Sequence, residues 1–434
     1  MNPNDEVRAA IASLLRIGEP GDGLLKRLVD DIGPVAALAI IRAVAGGQSS
    51  PDEAVAGLVA SNSEQARNSS QARSTAPAGS EAAGDAAGHG QLSAAIDRWA
   101  VRAGDEDGGS DLDKVARLGG RLVIPGDEEW PGMLDELGPS APLGLWVRGE
   151  AVLNTVLSRS VAIVGARAAS NYGTKCASDL AWDLASRGIT VVSGGAFGID
   201  AAAHRAAIAR EAPTIAFMAG GVDRFYPAAN ADLFEQILAT GAIVSETAPG
   251  MTPMRHRFLL RNRLIAASAQ VSVIVEAGWR SGALNTARHA FELSRQVAAF
   301  PGSVYSASST GAHRLIREHE AELVTCSDDV VALMDDEAPP LFDVVSIGGG
   351  GVDSDGGSGG RVGTVPADPV DDLDEREKIC LNALSATKAL DAGTLAARAG
   401  LTIADALSAL SALDLAGLAE RRDAGWVKLR KSRT

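Results

Sequence analysis

Between residues 160 and 335 the chain alternates short unbroken apolar runs with amphipathic stretches of helical length, and glycine marks several of the joints. The stretch Ser160–Glu211, SVAIVGARAASNYGTKCASDLAWDLASRGITVVSGGAFGIDAAAHRAAIARE, sets the pattern. Val161–Val164 is a continuous apolar run, as expected of a strand buried on both faces of a parallel sheet. Gly165 ends it. A helix is predicted from near Gly173 to Arg187, stopped by Gly188 where helices favour glycine. Ile189–Val192 reads as the next strand, Ser193-Gly194-Gly195 as its turn, and Ile199–Arg210 as an Ala-rich helix. Further strands are expected at Thr214–Ala219, Ala242–Ser245, Val271–Val275, Gln296–Phe300 and Glu322–Thr325. The helices between them fall near Ala231–Ala239, Arg257–Ala269, Gly282–Ser294, Ala312–His319 and Asp328–Met334. This alternation predicts an α/β fold with a doubly wound, mostly parallel sheet covered by helices on both faces.

The flanks have other periods. Val7–Leu15 and Leu24–Asp31 predict short helices on either side of the turn Gly18–Gly23, making residues 1–60 a small helical region. Residues 61–91 are rich in Ser, Ala, Gly, Gln and Asn without an apolar period, and read as a disordered insertion. A helix at Leu92–Ala103, an acidic break at Gly104–Gly109, and strands at Arg121–Ile124 and Leu143–Arg148 fill residues 92–150, the lead-in to the sheet domain at 151–335. Residues 336–372 are acidic, Gly/Ser-rich and punctuated by Pro, the composition of a flexible linker. In 373–434, helices at Glu375–Leu384, Ala392–Ala399 and Ile403–Leu415 precede a hairpin over Leu418–Leu429, which is the winged-helix pattern. Its third helix carries Asp405 and Asp414 among Ala, Leu and Ser, where DNA-reading helices carry Arg, Lys, Asn or Gln. That favours protein contact, while the basic tail Lys428–Arg433 keeps a nucleic-acid role open.

Composition narrows the class. The 434 residues suggest two to four domains, and 46% hydrophobic content with only 4% aromatic residues predicts cores of Ala, Val, Leu and Ile. A net charge of −15 argues against a nonspecific polyanion binder, although binding depends on a local patch rather than the average. Cys176, Cys326 and Cys380 are too scattered for a disulfide framework or a metal site, which fits reduced thiols in a cytoplasmic protein. The histidines show no zinc-ligand spacing. The start MNPNDEVRAA lacks a secretory h-region, and no apolar run reaches membrane-spanning length. No metal, cofactor or membrane partner is expected.

The candidate chemistry gathers past the carboxyl ends of the strands, the edge where open α/β sheets bind ligands. Arg167 sits in the first turn and Ser193, Gly194 and Gly195 form the second, where small residues and helix N-termini suit a phosphate. Later loops add Arg224, Phe225 and Tyr226, then Arg255 and Arg257, then Arg261, Asn262 and Arg263, and finally Arg280. Cations for phosphates and rings for bases are the parts of a single-strand nucleic-acid site, with Phe225 as the expected stacking face. Taken singly, each group also fits a helix cap, an ion pair such as Arg263 with Glu246, or loop core. Asp200, Glu246 and Glu276 are the candidate acids or bases, but no nucleophile elbow, phosphate-binding lysine loop or H-E-x-x-H accompanies them.

Five motifs in order, VAIVGAR…YG, VVSGGAFGIDAAAH, GGVDRFYP, RNRLIAA and VEA…SGAL…A, resemble the DNA-processing protein A (DprA, or Smf) family. WPGMLDELGPSAPLGLWVRG resembles its lead-in, the first helices its sterile-alpha-motif-like domain, and the last unit its winged-helix domain. The resemblance implies a Rossmann-like sheet and sequence-independent binding of single-stranded DNA. It also implies homodimerisation and loading of the RecA recombinase during natural transformation, without catalysis. It assigns phosphate binding to Arg167, the Ser193–Gly195 backbone and Arg255. The sequence departs from the family at Ala166, where many members have Ser, and in the 61–91 insertion and the long acidic linker. An enzymatic alternative is a nucleotide-processing hydrolase resembling the phosphoribohydrolases, whose P-G-G-x-G-T-x-x-E loop is only partly echoed by Gly220-Gly221-Val222-Asp223. A regulator acting through the winged helix is a third. If the sheet domain is the single-strand site, a fragment ending near Asp335 keeps its fold and most of the affinity, which titration of the fragment against the full chain would measure.

Overall fold

The computed structural model describes residues 3–69, 81–104, 108–335, 374–385, 389–422 and 425–429. The expected linker at 336–372 lies outside them. Six helices lead: α1 (Pro3–Ile17), α2 (Gly23–Ile32), α3 (Pro34–Ala45), α4 (Pro51–Ser69), α5 (Glu81–Ala100) and α6 (Gly108–Ala116). Asp22 organises the glycine turn between the first two. Its carboxylate caps α2 by accepting from the N–H groups of Leu24 and Leu25 at 3.1 and 3.2 Å, and its second oxygen accepts from Trp99 Nε1 at 2.9 Å. The expectation of disorder over 61–91 is corrected at both ends, because α4 and α5 run into it and only 70–80 lie outside the described residues. Alanine and glutamate have high helix propensity, so a helix forms there without an apolar stripe.

The sheet follows as β1 (Gly120–Val123), a 3-10 segment (Gly132–Ser140), β2 (Leu145–Arg148), α7 (Leu153–Leu157), β3 (Ser160–Val164), α8 (Asn171–Ser186), β4 (Thr190–Ser193), α9 (Ile199–Ala209) and β5 (Thr214–Phe217). It continues with α10 (Ala231–Thr240), β6 (Ala242–Ser245), α11 (Arg255–Ala267), β7 (Val271–Ile274), α12 (Ala283–Glu292), β8 (Gln296–Ala299), α13 (Thr310–Arg317), β9 (Glu322–Leu323) and α14 (Ser327–Asp335). The nine strands order β1-β2-β6-β5-β4-β3-β7-β8-β9. Strands β3 to β9 pair in parallel, and the lead-in strands β1 and β2 extend the β6 side antiparallel. Side-chain alternation divides the core. Ala162, Val164, Phe217, Val244 and Ile274 face α11 and α12, while Val161, Ile163, Val191 and Val273 face α8 and α9. The N-terminal helices cover the second face farther along, over Trp146, Ala216 and Ile243.

The last domain holds α15 (Glu375–Ala383), α16 (Ala392–Ala399), α17 (Ile403–Leu415) and the hairpin β10 (Ala419–Arg422) and β11 (Gly425–Lys428). It docks with α15 beside α11, and Arg102 Nη2 donates to Ala399 O at 2.9 Å, a cation at the C-terminus of α16.

Glu19, in the first glycine turn, ties these layers together. It accepts two hydrogen bonds from Arg257 of α11 at 2.9 Å each and pairs with Arg102 at 2.8 Å and His256 at 3.2 Å. Burial pushes its pKa up, but the hydrogen bonds from His256 and Arg257 and the charges of Arg257 and Arg102 outweigh this and hold it far below the usual glutamate value. A carboxylate depressed in the folded state contributes stability above its unfolded pKa of about 4.3 and loses it as pH falls below that. Glu19→Gln is expected to destabilise the protein by about 3–5 kcal/mol at pH 7, the range for breaking a buried pair. The variant's melting temperature should also fall less than the wild type's as the pH is lowered from about 5 to about 2, as differential scanning calorimetry would show.

Candidate nucleic-acid interface

Strands β3 and β7 are neighbours, but the chain winds away from them in opposite directions, which opens a crevice beyond their carboxyl ends. A cleft of about 1430 Å³ occupies it. The turn after β3 supplies Gly165 and Arg167, and the loop after β5 supplies Tyr226. The start of α11 supplies Arg255, Phe258 and Asn262, and the loop after β7 supplies Trp279 and Arg280. Gly165 is needed for closeness, because a Cβ there would meet Ile199 and the Glu276 carbonyl oxygen. Arg167 is exposed and lies over the Phe258 ring at 5.1 Å, and Phe258 also packs against Tyr226 at 5.5 Å between centroids. Arg255 is exposed, with no hydrogen bond or ion pair among the described residues.

The sequence-selected arginines divide into two kinds. Arg261 is buried on α11 and donates to the carbonyl oxygens of Gly194, at 2.9 Å, and Phe217. Burial pulls its pKa down to about 10, opposed by the charge of Asp200. Arg263 is buried on another side of the helix, bonded to Glu246 at 2.7 Å and Ser140 O at 2.9 Å. Arg257 belongs to the Glu19 cluster. These three build the scaffold and are corrected as exposed phosphate contacts. Asn262 is buried too, donating to Gly282 O at 3.2 Å and Asn285 Oδ1 at 3.3 Å. Arg224 is exposed next to Asp223, outside the cleft lining.

The second turn is corrected as well. Ser193, Gly194 and Gly195 are buried, with Ser193 Oγ donating to Ile163 O at 2.6 Å. The N–H groups of Gly194 and Ala196 donate to the Asp200 carboxylate at 3.2 and 3.3 Å, so the chain's own anion sits where a phosphate was expected. Burial pushes the Asp200 pKa up, against the pull of Arg261 and those N–H groups. The two glycines make room for side chains: a Cβ on Gly194 would strike the Arg261 guanidinium, and one on Gly195 the Phe234 ring.

Phe225 is not the stacking face. It packs on Phe234 at 5.3 Å, 28° from coplanar, with the Arg148 guanidinium at 5.5 Å. Its neighbour Tyr226 is 47% exposed and lines the cleft, as does Trp279, which is 57% exposed. Sequence reasoning passed over Trp279 and Phe258. An aromatic residue in a loop past a strand end was the available signal for Trp279. Phe258 gave none, because at its place in a helix it reads as core.

The other carboxylates are occupied. Glu276 accepts from Ser170 N at 2.9 Å, Ser170 Oγ at 2.5 Å and Ser308 Oγ at 3.2 Å, and Glu246 holds Arg263 and Gly21 N.

A family profile described as DNA recombination-mediator protein A matches residues 121–335, and a DprA winged helix domain profile matches 364–425. A putative DNA processing protein DprA of Mycobacterium tuberculosis is 43% identical over 339 residues, covering 74% of this chain and 80% of that one. The chain belongs to the DNA-processing protein A (DprA/Smf) family of recombination mediators. The X-ray structure of DNA processing protein A from Streptococcus pneumoniae is similar, with 34% identity, a TM-score of 0.50, and coverage of 56% of this chain and 84% of that one. The Helicobacter pylori protein, described for its single-stranded DNA binding mode, is 28% identical, with a TM-score of 0.44 and coverage of 49% and 94%. Among the described residues no single helix is long and apolar enough to cross a membrane.

The packing separates two adjacent rings. Phe225→Ala should lower the unfolding free energy by about 2–4 kcal/mol through lost core contacts. Tyr226→Ala should cost no more than about 0.5 kcal/mol, as for a surface substitution. Urea denaturation of both variants gives the comparison.

Proposed function

We propose that this protein binds single-stranded DNA, without sequence preference, in the cleft beyond β3 and β7, and delivers that strand to the RecA recombinase. One observation carries the reading: two exposed arginines, Arg167 and Arg255, share a cleft with the exposed rings of Tyr226 and Trp279 and the half-buried ring of Phe258. Cations bind the backbone whatever the bases are, and every base has a face to stack. Phosphate contacts fall to Arg167 and Arg255. Arg261, Asn262 and the Ser193–Gly195 turn shape the wall behind them, and Arg224 serves the rim.

The proposed role is mediation rather than catalysis. Asp200, Glu246 and Glu276, the acids nearest the strand ends, are each held in internal hydrogen bonds, which supports this. Loading of RecA during natural transformation, in the cytoplasm, extends the family's role to this chain. We also propose a homodimer through the sheet domain, whose edge strand β9 leaves Leu323 half exposed.

Arg167→Ala and Arg255→Ala should each weaken single-strand binding equally for all sequences and make the salt slope shallower by about 0.7, one phosphate's worth. Tyr226→Ala should cost about 1–3 kcal/mol on a base-bearing strand and far less on an abasic one. Duplex DNA, whose bases are stacked away, should bind far more weakly. Fluorescence anisotropy over a salt series tests all three, and equal affinity for duplex and single strand would reduce the cleft to a generic cationic surface.

A further inference from the structure

The cleft has a wall from outside the sheet domain. Leu381 of α15, Leu418, and Lys428 and Leu429 of the wing line the same space as Arg255. No residue of α17, the helix that reads DNA in typical winged-helix proteins, lines it. That helix instead exposes Ile403 and Leu407. Lys428 is half-buried and spends one donor on Leu381 O at 3.1 Å, which leaves two of its ammonium hydrogens for other acceptors.

We propose that the wing is the second jaw of the single-strand cleft, and that Lys428 and Arg255 hold one phosphate between them. The proposal rests on the single-stranded DNA reading above. Two cations of different domains face one space. Among the described residues the one carboxylate in its lining, Asp200, is already bonded to the turn behind the wall. Burial lowers the Lys428 pKa and the charge of Arg255 lowers it further, so the two groups feel each other across the cleft. A phosphate placed there turns this repulsion into two attractions, and it fastens the winged helix to α11 at the moment the strand binds. In this docked position Arg102 holds the end of α16. The wing also revises an earlier expectation. A fragment ending near Asp335 loses Lys428, so it should lose at least as much affinity as Lys428→Ala does, despite the acidity of α17.

The test is a double-mutant cycle on the full chain, with a fluorescein-labelled oligothymidylate titrated at several salt concentrations. Arg255→Ala and Lys428→Ala should each weaken binding about two- to tenfold, the range for one lost hydrogen bond. The double variant should lose clearly less than the product of the two, because both cations serve one phosphate. Lys428→Arg should restore affinity, which a role confined to holding Leu381 O would not require. Multiplicative losses, an unchanged salt slope in Lys428→Ala, or failure of Lys428→Arg to rescue would each overturn the proposal. Arg167→Ala separates the two levels. If it weakens binding while Lys428→Ala does not, the wing proposal fails alone. If Arg167→Ala and Arg255→Ala are both silent, the single-strand reading itself fails.

Discussion

Arg261 and Asp200, buried together behind the cleft, fix the geometry on which the site depends. A guanidinium out of water costs several kcal/mol unless charge and hydrogen bonds offset it. Here the offset comes from Asp200 and from the carbonyl oxygens of Gly194 and Phe217, at the ends of β4 and β5. The arrangement pins α11 to those strand ends. It therefore sets where Arg255 and Phe258 stand, since both lie earlier on that helix. It also fills the anion position of the second turn with the chain's own carboxylate. The exposed arginines of the cleft, Arg167 and Arg255, stand outside this arrangement.

A second buried cluster carries the same logic between domains. Glu19 binds Arg257 of α11 and Arg102, and Arg102 reaches the end of α16. The helical region, the sheet domain and the winged helix therefore meet at one carboxylate. Three of the basic groups that seemed destined for a polyanion are used up in such clusters. This explains how an arginine-rich segment can sit in a protein of net charge −15 without forming an indiscriminate cationic surface. Distant acidic groups are screened beyond about 8 Å at physiological salt, so the few exposed cations of the cleft decide the local field.

The division of the aromatic residues follows packing rather than residue type. Phe225 and Tyr226 are adjacent, so their side chains leave the loop in different directions, one onto Phe234 and the other into the cleft. The phenol hydroxyl makes tyrosine the cheaper of the two to leave in water. Trp279 is likewise left open at the rim, with its ring against Arg314 at 5.1 Å.

The alternation of apolar runs and helical stretches was enough to determine a doubly wound sheet, because local period and turn residues encode element type and parallel strands need crossover helices. The motifs were enough to determine the family. Three-dimensional packing alone decided which charges face water. Arg255, Arg257, Arg261 and Arg263 share one helix and one chemical character, yet one is exposed and three are buried against different partners. The pairing of Arg263 with the nearby Glu246 was already legible, whereas Glu19 and Gly194 lie far away in sequence, so no local pattern could assign them. The same holds for Lys428. Its place in the same cleft as Arg255 depends on how a separate domain docks, and docking involves contacts such as Arg102 with Ala399 that only the folded chain brings together.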